Sequence, residues 1–206
     1  MKGFPFSSIL STMSVLQYPN GMRATIQHKA NDNHARRGSS LEEDLNESNI
    51  FYRERDIALI YKKPTPIQVV KVDYPARNKA RITEAYYRTP STTDYNGIYK
   101  GRYIDFEAKE TRNKTSFPNY LVQSHQIDHL RRVRKQGGIG FYIIRFSSLS
   151  ETWLVDSQDL SEKLQEKDRK SIPHSWFTQH GILLDEGLFP RIAYLKAVDQ
   201  KYMKGD

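Results

Sequence analysis

The chain has 206 residues, enough for one domain or for one domain carrying an inserted arm. Its 37% hydrophobic content supports a core, and its formal net charge of +8 favours polyanionic partners, because each cation set against a phosphate releases counterions. With no cysteine, a disulfide scaffold, a thiolate zinc site and a Cys nucleophile are excluded, and no run approaches the roughly 18 apolar residues that cross a bilayer.

These features predict a cytoplasmic protein with no membrane partner. The first 16 residues carry one Lys and a short, Ser-broken apolar stretch, a poor match to a signal peptide. Residues 17–38 are polar, with a Pro-Asn-Gly turn signal and scattered basic groups ending in Arg36 and Arg37. Residues 1–38 are therefore predicted to form a disordered basic arm ahead of a domain at 39–200.

Ser39 with Glu42 and Ser40 with Glu43 both have capping-box spacing, which predicts a helix over about 40–54. Leu41, Leu45 and Ile50 are expected on its apolar face, with Asn49 beside them. IALIYKK is an apolar β-rich run that Pro64-Thr65-Pro66 breaks. IQVVKVDY and ITEAYYR then read as two strands around a basic turn, PARNKAR. Residues 62–90 are predicted to be a protruding two-stranded arm inserted into the domain, of a kind that is marginal alone in water.

Asn96-Gly97 is a turn signal. GRYIDFEAKET alternates as a strand, with Tyr103, Asp105, Glu107 and Lys109 on one face and Ile104, Phe106 and Ala108 on the other. A basic helix is predicted over 124–136, capped by Ser124, striped by Ile127, Leu130 and Val133, and stopped at Gly137-Gly138. IGFYIIRF and ETWLVD read as strands, DLSEKLQEKD as helix, RKSIP as a basic turn and RIAYLKAV as a final segment. The fold class is α/β.

The chemistry lies in Asp94, twelve intervening residues, and then Glu107-Ala108-Lys109. Phosphodiester hydrolysis needs cation ligands, an activated water and neutralisation of charge in the transition state. Mg²⁺ takes hard oxygens and commonly only one or two carboxylates. Asp94 at a turn and Glu107 on a strand can supply them. Lys109, two residues along the same strand face and roughly 7 Å away, can orient the water or stabilise the phosphorane. The pattern is that of a PD-(D/E)xK metal-dependent DNA endonuclease. An edge strand would carry such a row of charges harmlessly, whereas a central strand would carry it only for function, since burying carboxylates is costly.

Asp105 shares the Glu107 face and fits either a second metal ligand or a hydrogen-bond acceptor. His125 and His129 have half of a helical zinc spacing, but Gln126 stands where the metalloprotease version has Glu, so they read as surface histidines. Arg131, Arg132, Arg134 and Lys135 fit a solvated helix face or a phosphate track equally well. Lys62, Lys63, Lys71, Arg77, Lys79, Arg81 and Arg88 interleave with Tyr74, Tyr86 and Tyr87, a pattern suited to distorted or unpaired DNA. A dimer interface is the competing use of those tyrosines. The DNA-contact set is predicted as Arg37, Lys62, Lys63, Arg77, Lys79, Arg81, Tyr87, Arg88, Arg131 and Arg134.

The segments YPNG (18–21), RRGSSLEEDLNESN (36–49), KKPTPIQVV (62–70), STTDYNGIYKGRYIDFEAKETRNKTSFP (91–118), HQIDHL (125–130) and PRIAYL (190–195) resemble the RecU Holliday junction resolvases of Gram-positive bacteria. The resemblance runs in order from about residue 17 to 198, and is weaker around 148–185. It implies a type II restriction endonuclease-like fold, a mixed central sheet flanked by helices with a protruding β-stalk. It also implies a homodimer that cuts four-way and branched DNA by symmetric paired nicks with Mg²⁺ or Mn²⁺, and that acts on the RecA recombinase. Carried over by motif position, Thr92, Asp94, Glu107 and Gln126 become the metal set, Lys109 the transition-state stabiliser and Asp105 an active-site neighbour.

Overall fold

The computed structural model describes residues 40–76, 78–88, 92–166 and 169–203. The predicted N-terminal arm lies outside the described residues. In chain order the elements are α1 (Leu41–Glu54), β1 (Leu59–Lys62), β2 (Ile67–Asp73), β3 (Arg81–Tyr87), β4 (Tyr95–Tyr99), β5 (Arg102–Thr111), β6 (Ser116–Pro118), a 3₁₀ turn (Asn119–Leu121), α2 (Ser124–Lys135), β7 (Ile139–Phe146), β8 (Glu151–Asp156), α3 (Ser157–Leu164), β9 (Ser171–Pro173), α4 (His174–His180), β10 (Ile182–Leu183) and α5 (Tyr194–Tyr202).

Helix α1 starts at Ser40. The Ser40 hydroxyl accepts from the Glu43 N–H and the Glu43 carboxylate accepts from the Ser40 N–H, so the second of the two capping boxes is the one formed. Leu41, Leu45, Ser48, Asn49 and Tyr52 form its buried face. Ile50 is 41% exposed, contrary to expectation. At about 100° per residue it stands opposite Leu41 on the helix wheel.

Six strands form the main sheet in the order β1-β4-β5-β7-β8-β10. Only β5 and β7 run parallel, and α2 lies in the connection between them. The sheet is mixed and flanked by helices, as expected. Asn96-Gly97, read as a turn, lies inside β4 instead, and the chain reverses at Lys100-Gly101, both with positive φ (48° and 75°). Gly97 pairs with Ile60, and a Cβ there would sit 2.0 Å from the Leu59 carbonyl oxygen. Its glycine serves close strand approach rather than a bend. RKSIP, expected as a turn, supplies β9, which pairs with β6 in a small separate sheet.

Each face of the main sheet has its own apolar layer. One gathers Leu45, Tyr52, Ile60, Tyr95, Ile104, Phe106, Phe141 and Tyr194, and the other Phe117, Leu130, Ile144, Phe146, Val155, Leu160 and Phe177. Leu130 and Val133 of α2 are buried as the stripe predicted. The helix is entered from Gln123 rather than capped by Ser124.

The chain divides into two units, one comprising Gly38–Gln68 and Tyr86–Asp206, the other including Val69–Ala85. Strands β2 and β3 form a two-stranded sheet. All of β3 and all of β2 except Val72 are exposed. The pairing begins at Ile67, whereas Lys62, placed in the arm by the sequence, closes β1 of the main sheet.

Candidate active site

Strand β5 lies in the interior of the sheet, with β4 on one side and β7 on the other. Its Phe106 ring stacks between Tyr95 and Phe141, with centroids 4.9 and 4.8 Å away. Burial of these rings on one face fixes the strand and turns Asp105, Glu107 and Lys109 to the opposite face. Asp105 and Glu107 are 0% and 1% exposed. The edge-strand alternative is thereby removed, and two carboxylates are buried at the centre of the sheet.

Glu107 Oε2 accepts from the Asp94 N–H at 3.1 Å, and Oε1 accepts from Gln126 Nε2 at 2.6 Å. Lys109 Nζ also reaches Glu107 Oε1 at 2.6 Å. Asp94 Oδ2 accepts from the Ala108 N–H at 3.4 Å. Burial, and then the nearby Asp94 charge, push the Glu107 carboxyl up from its ordinary value to about 7, against the opposing pull of Lys109. A cavity of about 150 Å³ is lined in part by Asp94, Tyr95, Ala108 and Lys109 and by Ser40–Glu42.

Asp105 has a separate set of partners. Its Oδ1 accepts from the Thr93 hydroxyl, and its Oδ2 lies 2.8 Å from Lys63 Nζ, 2.8 Å from the Tyr103 hydroxyl and 2.9 Å from His129 Nε2. Both oxygens accept hydrogen bonds, the second of the two uses the sequence left open for Asp105. His129 is not a bare surface histidine, because it closes this cluster. Thr93 is buried, and its alternation with Thr92 and Asp94 gave no signal of that.

Asp94, Glu107, Lys109 and Gln126 thus converge. Thr92 is half-buried two residues from Asp94, with no hydrogen bond to the carboxylates among the described residues. The Gln126 amide oxygen is taken by the Gln123 N–H at 3.0 Å, so ligation through that oxygen requires the amide to turn over. Among the described residues no group of three or more acidic, His or Cys side chains forms a metal cluster. The donors nevertheless fit a magnesium-like cation, which needs only one or two carboxylates plus water. A cation at the Asp94–Glu107 pair would offset the Asp94 charge, which after burial is the second cause that raises Glu107.

The predicted DNA-contact residues are dispersed. Lys79, Arg81, Tyr87 and Arg88 are exposed, Tyr87 at 84%. Arg131 is exposed, with a long 3.6 Å pair to Asp128. Two residues are committed internally, contrary to the sequence reading: Lys63 to Asp105, and Arg134 to Asp156 and Gln158. Lys62 pairs with Glu42 at the surface. Arg37 and Arg77 lie outside the described residues.

Comparison with known proteins gives the context for this geometry. The Holliday junction resolvase RecU of Geobacillus thermodenitrificans (strain NG80-2) is 51% identical over 197 residues, covering 91% of this chain and 98% of that protein. The protein of the same name from Geobacillus kaustophilus (strain HTA426) is 50% identical over 195 residues, and that of Bacillus thuringiensis (strain Al Hakam) 48% over 196, with the same coverage. Among solved structures, Archaeoglobus fulgidus Hjc, a Holliday junction resolvase from an archaeal hyperthermophile, aligns at a TM-score of 0.41 and 11% identity, over 71% of this chain and 95% of that one. The family model for recombination protein U matches residues 36–200, the span that holds the whole Asp94–Glu107–Lys109 constellation, and with the RecU relatives it shows that the chain belongs to the RecU family.

Proposed function

We propose that the chain is a structure-selective endodeoxyribonuclease that resolves Holliday junctions during recombination and repair. The observation that carries this is the buried Glu107 of the central strand β5, held by the half-buried Asp94 through its N–H and joined to Lys109, with Glu107 raised to about 7. A purely structural strand has no reason to bury carboxylates there. Relatives about half identical over nearly their full length bear the resolvase name.

Asp94 and Glu107, with Thr92 and Gln126, would hold Mg²⁺, for which Mn²⁺ substitutes. The bound cation would supply Lewis-acid polarisation of the phosphoryl oxygens and a more acidic attacking water. Lys109 sits beside Glu107 with its side chain 20% exposed, so its ammonium can reach an incoming phosphate while remaining held. It neutralises charge on the equatorial oxygens as the water oxygen bonds to phosphorus and the bond to the leaving sugar oxygen breaks. The Asp94 N–H holds the Glu107 carboxylate in place, and Gln126 Nε2 does so too until its amide turns over to ligate.

A four-way junction has two-fold symmetry, so paired symmetric nicks call for two such sites, supplied by a homodimer. Junction recognition rests on shape and phosphate charge. Exposed basic groups such as Lys79, Arg81, Arg88 and Arg131 are the contacts assigned to it. The resemblance adds modulation of the RecA recombinase, in a cytoplasmic setting; no described helix is long and apolar enough to cross a membrane.

The test is cleavage of a labelled synthetic four-way junction beside the matching linear duplex, with Mg²⁺ and with EDTA. Paired, symmetric, Mg²⁺-dependent nicks confined to the junction are expected. Tight junction binding without nicks would reduce the chain to a binding protein, and cleavage of the duplex at a fixed site would make it a restriction-type enzyme.

A further inference from the structure

Lys63 stands in a different relation to the site from any other cation of the described residues. Its Nζ donates to the buried Asp105 Oδ2 at 2.8 Å and to Thr93 Oγ1 at 2.9 Å. The Thr93 hydroxyl in turn donates to Asp105 Oδ1. The Lys63 backbone N–H donates to the Asp94 carbonyl at 2.7 Å. One residue therefore grips the Thr93–Asp94 segment twice, once through the main chain and once through its ammonium. Tyr103 and His129 close the remaining side of Asp105. The Lys63 side chain is only 17% exposed.

Strand β4 begins at Tyr95, so Asp94 is the last residue before the sheet takes hold. Its carboxylate must nonetheless face Glu107, two positions beyond Asp105 on β5. The sheet ladder sets the place of Glu107. For Asp94 the corresponding support is the Lys63–Thr93–Asp105 chain, the Lys63 N–H bond to its carbonyl, its own N–H bond to Glu107 and a long 3.4 Å bond from the Ala108 N–H to its carboxylate.

We infer that Lys63 is a positioning residue that, through Thr93 and Asp105, sets the Asp94 carboxylate for divalent-cation binding, and that it does not bind a DNA phosphate. The inference rests on the proposed nuclease reading. Residues that orient metal ligands typically contribute about 10–100-fold to metal affinity or activity. Removing Lys63 leaves Asp105 buried without its cation, so a charge-balanced companion is needed. The Lys63→Met/Asp105→Asn double variant removes both charges, and Thr93→Val removes the relaying hydroxyl while keeping them.

The experiment measures Mn²⁺ binding by electron paramagnetic resonance without DNA, junction affinity in EDTA across a salt series, and cleavage, for wild type, Lys63→Met, the double variant and Thr93→Val. Expected is an Mn²⁺ dissociation constant raised about 10–100-fold in Lys63→Met and the double variant, and raised less in Thr93→Val. Junction affinity and its salt slope stay as in wild type. Mn²⁺ affinity unchanged in any folded variant overturns the inference. So does a junction salt slope reduced by about one with normal Mn²⁺ binding, the signature of a residue that had been neutralising a phosphate. If Lys63→Met does not fold, the other two variants decide. A wild type that binds Mn²⁺ without cutting junctions sinks the resolvase reading alone, since the positioning effect is still read from Mn²⁺.

Discussion

At the scale of single residues, Asp94 and Glu107 are coupled by one backbone hydrogen bond and by their mutual repulsion. Asp94→Asn and Glu107→Gln are expected to lower junction cleavage by more than about 100-fold while leaving junction binding intact, because they would remove the proposed cation ligands and leave the basic surface untouched. Gel-shift and cleavage assays on the same preparations check this, and abolished binding in both would count against the site. The raised Glu107 carboxyl also has a stability consequence. Its folded pKa of about 7 exceeds the ordinary 4.5, so in the cation-free protein its contribution is complete below about 4.5 and is lost as pH rises through about 7. The thermal midpoint of wild type minus that of Glu107→Gln, measured in EDTA, should fall between those values and level off above them. Mg²⁺ should raise the wild-type midpoint more as pH rises through the same range, since proton and cation compete for one carboxylate. A pH-independent Mg²⁺ effect would dissociate Glu107 from cation binding.

At the scale of elements, two features hold the parts that carry the site. Gly97 lets β1 lie against β4, and β1 leads into Lys63. Gly97→Ala would place a methyl group against the Leu59 carbonyl and is expected to cost about 3 kcal/mol or more in urea unfolding. A cost below about 1 kcal/mol would show that β1 shifts freely. Arg145 of β7 ties α1 to the far strands. Its guanidinium pairs with Asp44 at 2.7 Å and Glu186 at 3.0 Å, and its Nε donates to Thr152 at 2.9 Å. Arg145→Ala takes from the buried Asp44 its 2.7 Å cation and is expected to cost about 3–5 kcal/mol. Chemical denaturation reads this directly, and a small change would mean that other partners, such as Arg191 at 3.3 Å, take over the charge.

At the scale of the whole molecule, the net charge of +8 is distributed between groups held in internal pairs and groups open to a polyanion. Lys63 and Arg134 belong to the first kind. Lys79, Arg81 and Arg88 belong to the second. Neutralising these three should weaken junction binding and flatten its salt dependence by about one unit of slope for each phosphate left without its cation. An unchanged slope would remove the β2–β3 hairpin from the DNA interface. The exposed apolar residues of the hairpin, among them Val70 at 52% and Ile82 at 50%, are unusual for a surface that meets only water.

The sequence alone determined the strand register that aligns Asp105, Glu107 and Lys109, because period-two alternation is a local property of the backbone. It likewise determined the start of α1 to within one residue, the buried stripe of α2 and the two strands of the hairpin. What it left open depended on which strands meet. Asn-Gly has the same local preference in a turn as in β4, and only the packing of β1 against Gly97 decides between them. Lys63 and Arg134 have the composition of phosphate-binding groups, and only their long-range partners, Asp105 and Asp156, turn them inward. Asp105 was ambiguous for the same reason: its partners come from the end of β1, the approach to β4, β5 itself and α2, four separate stretches of chain. Whether the row of charges on β5 lay on an edge or on a central strand was set by tertiary structure, which pairs β5 with β7, whose sequence begins 28 residues after β5 ends.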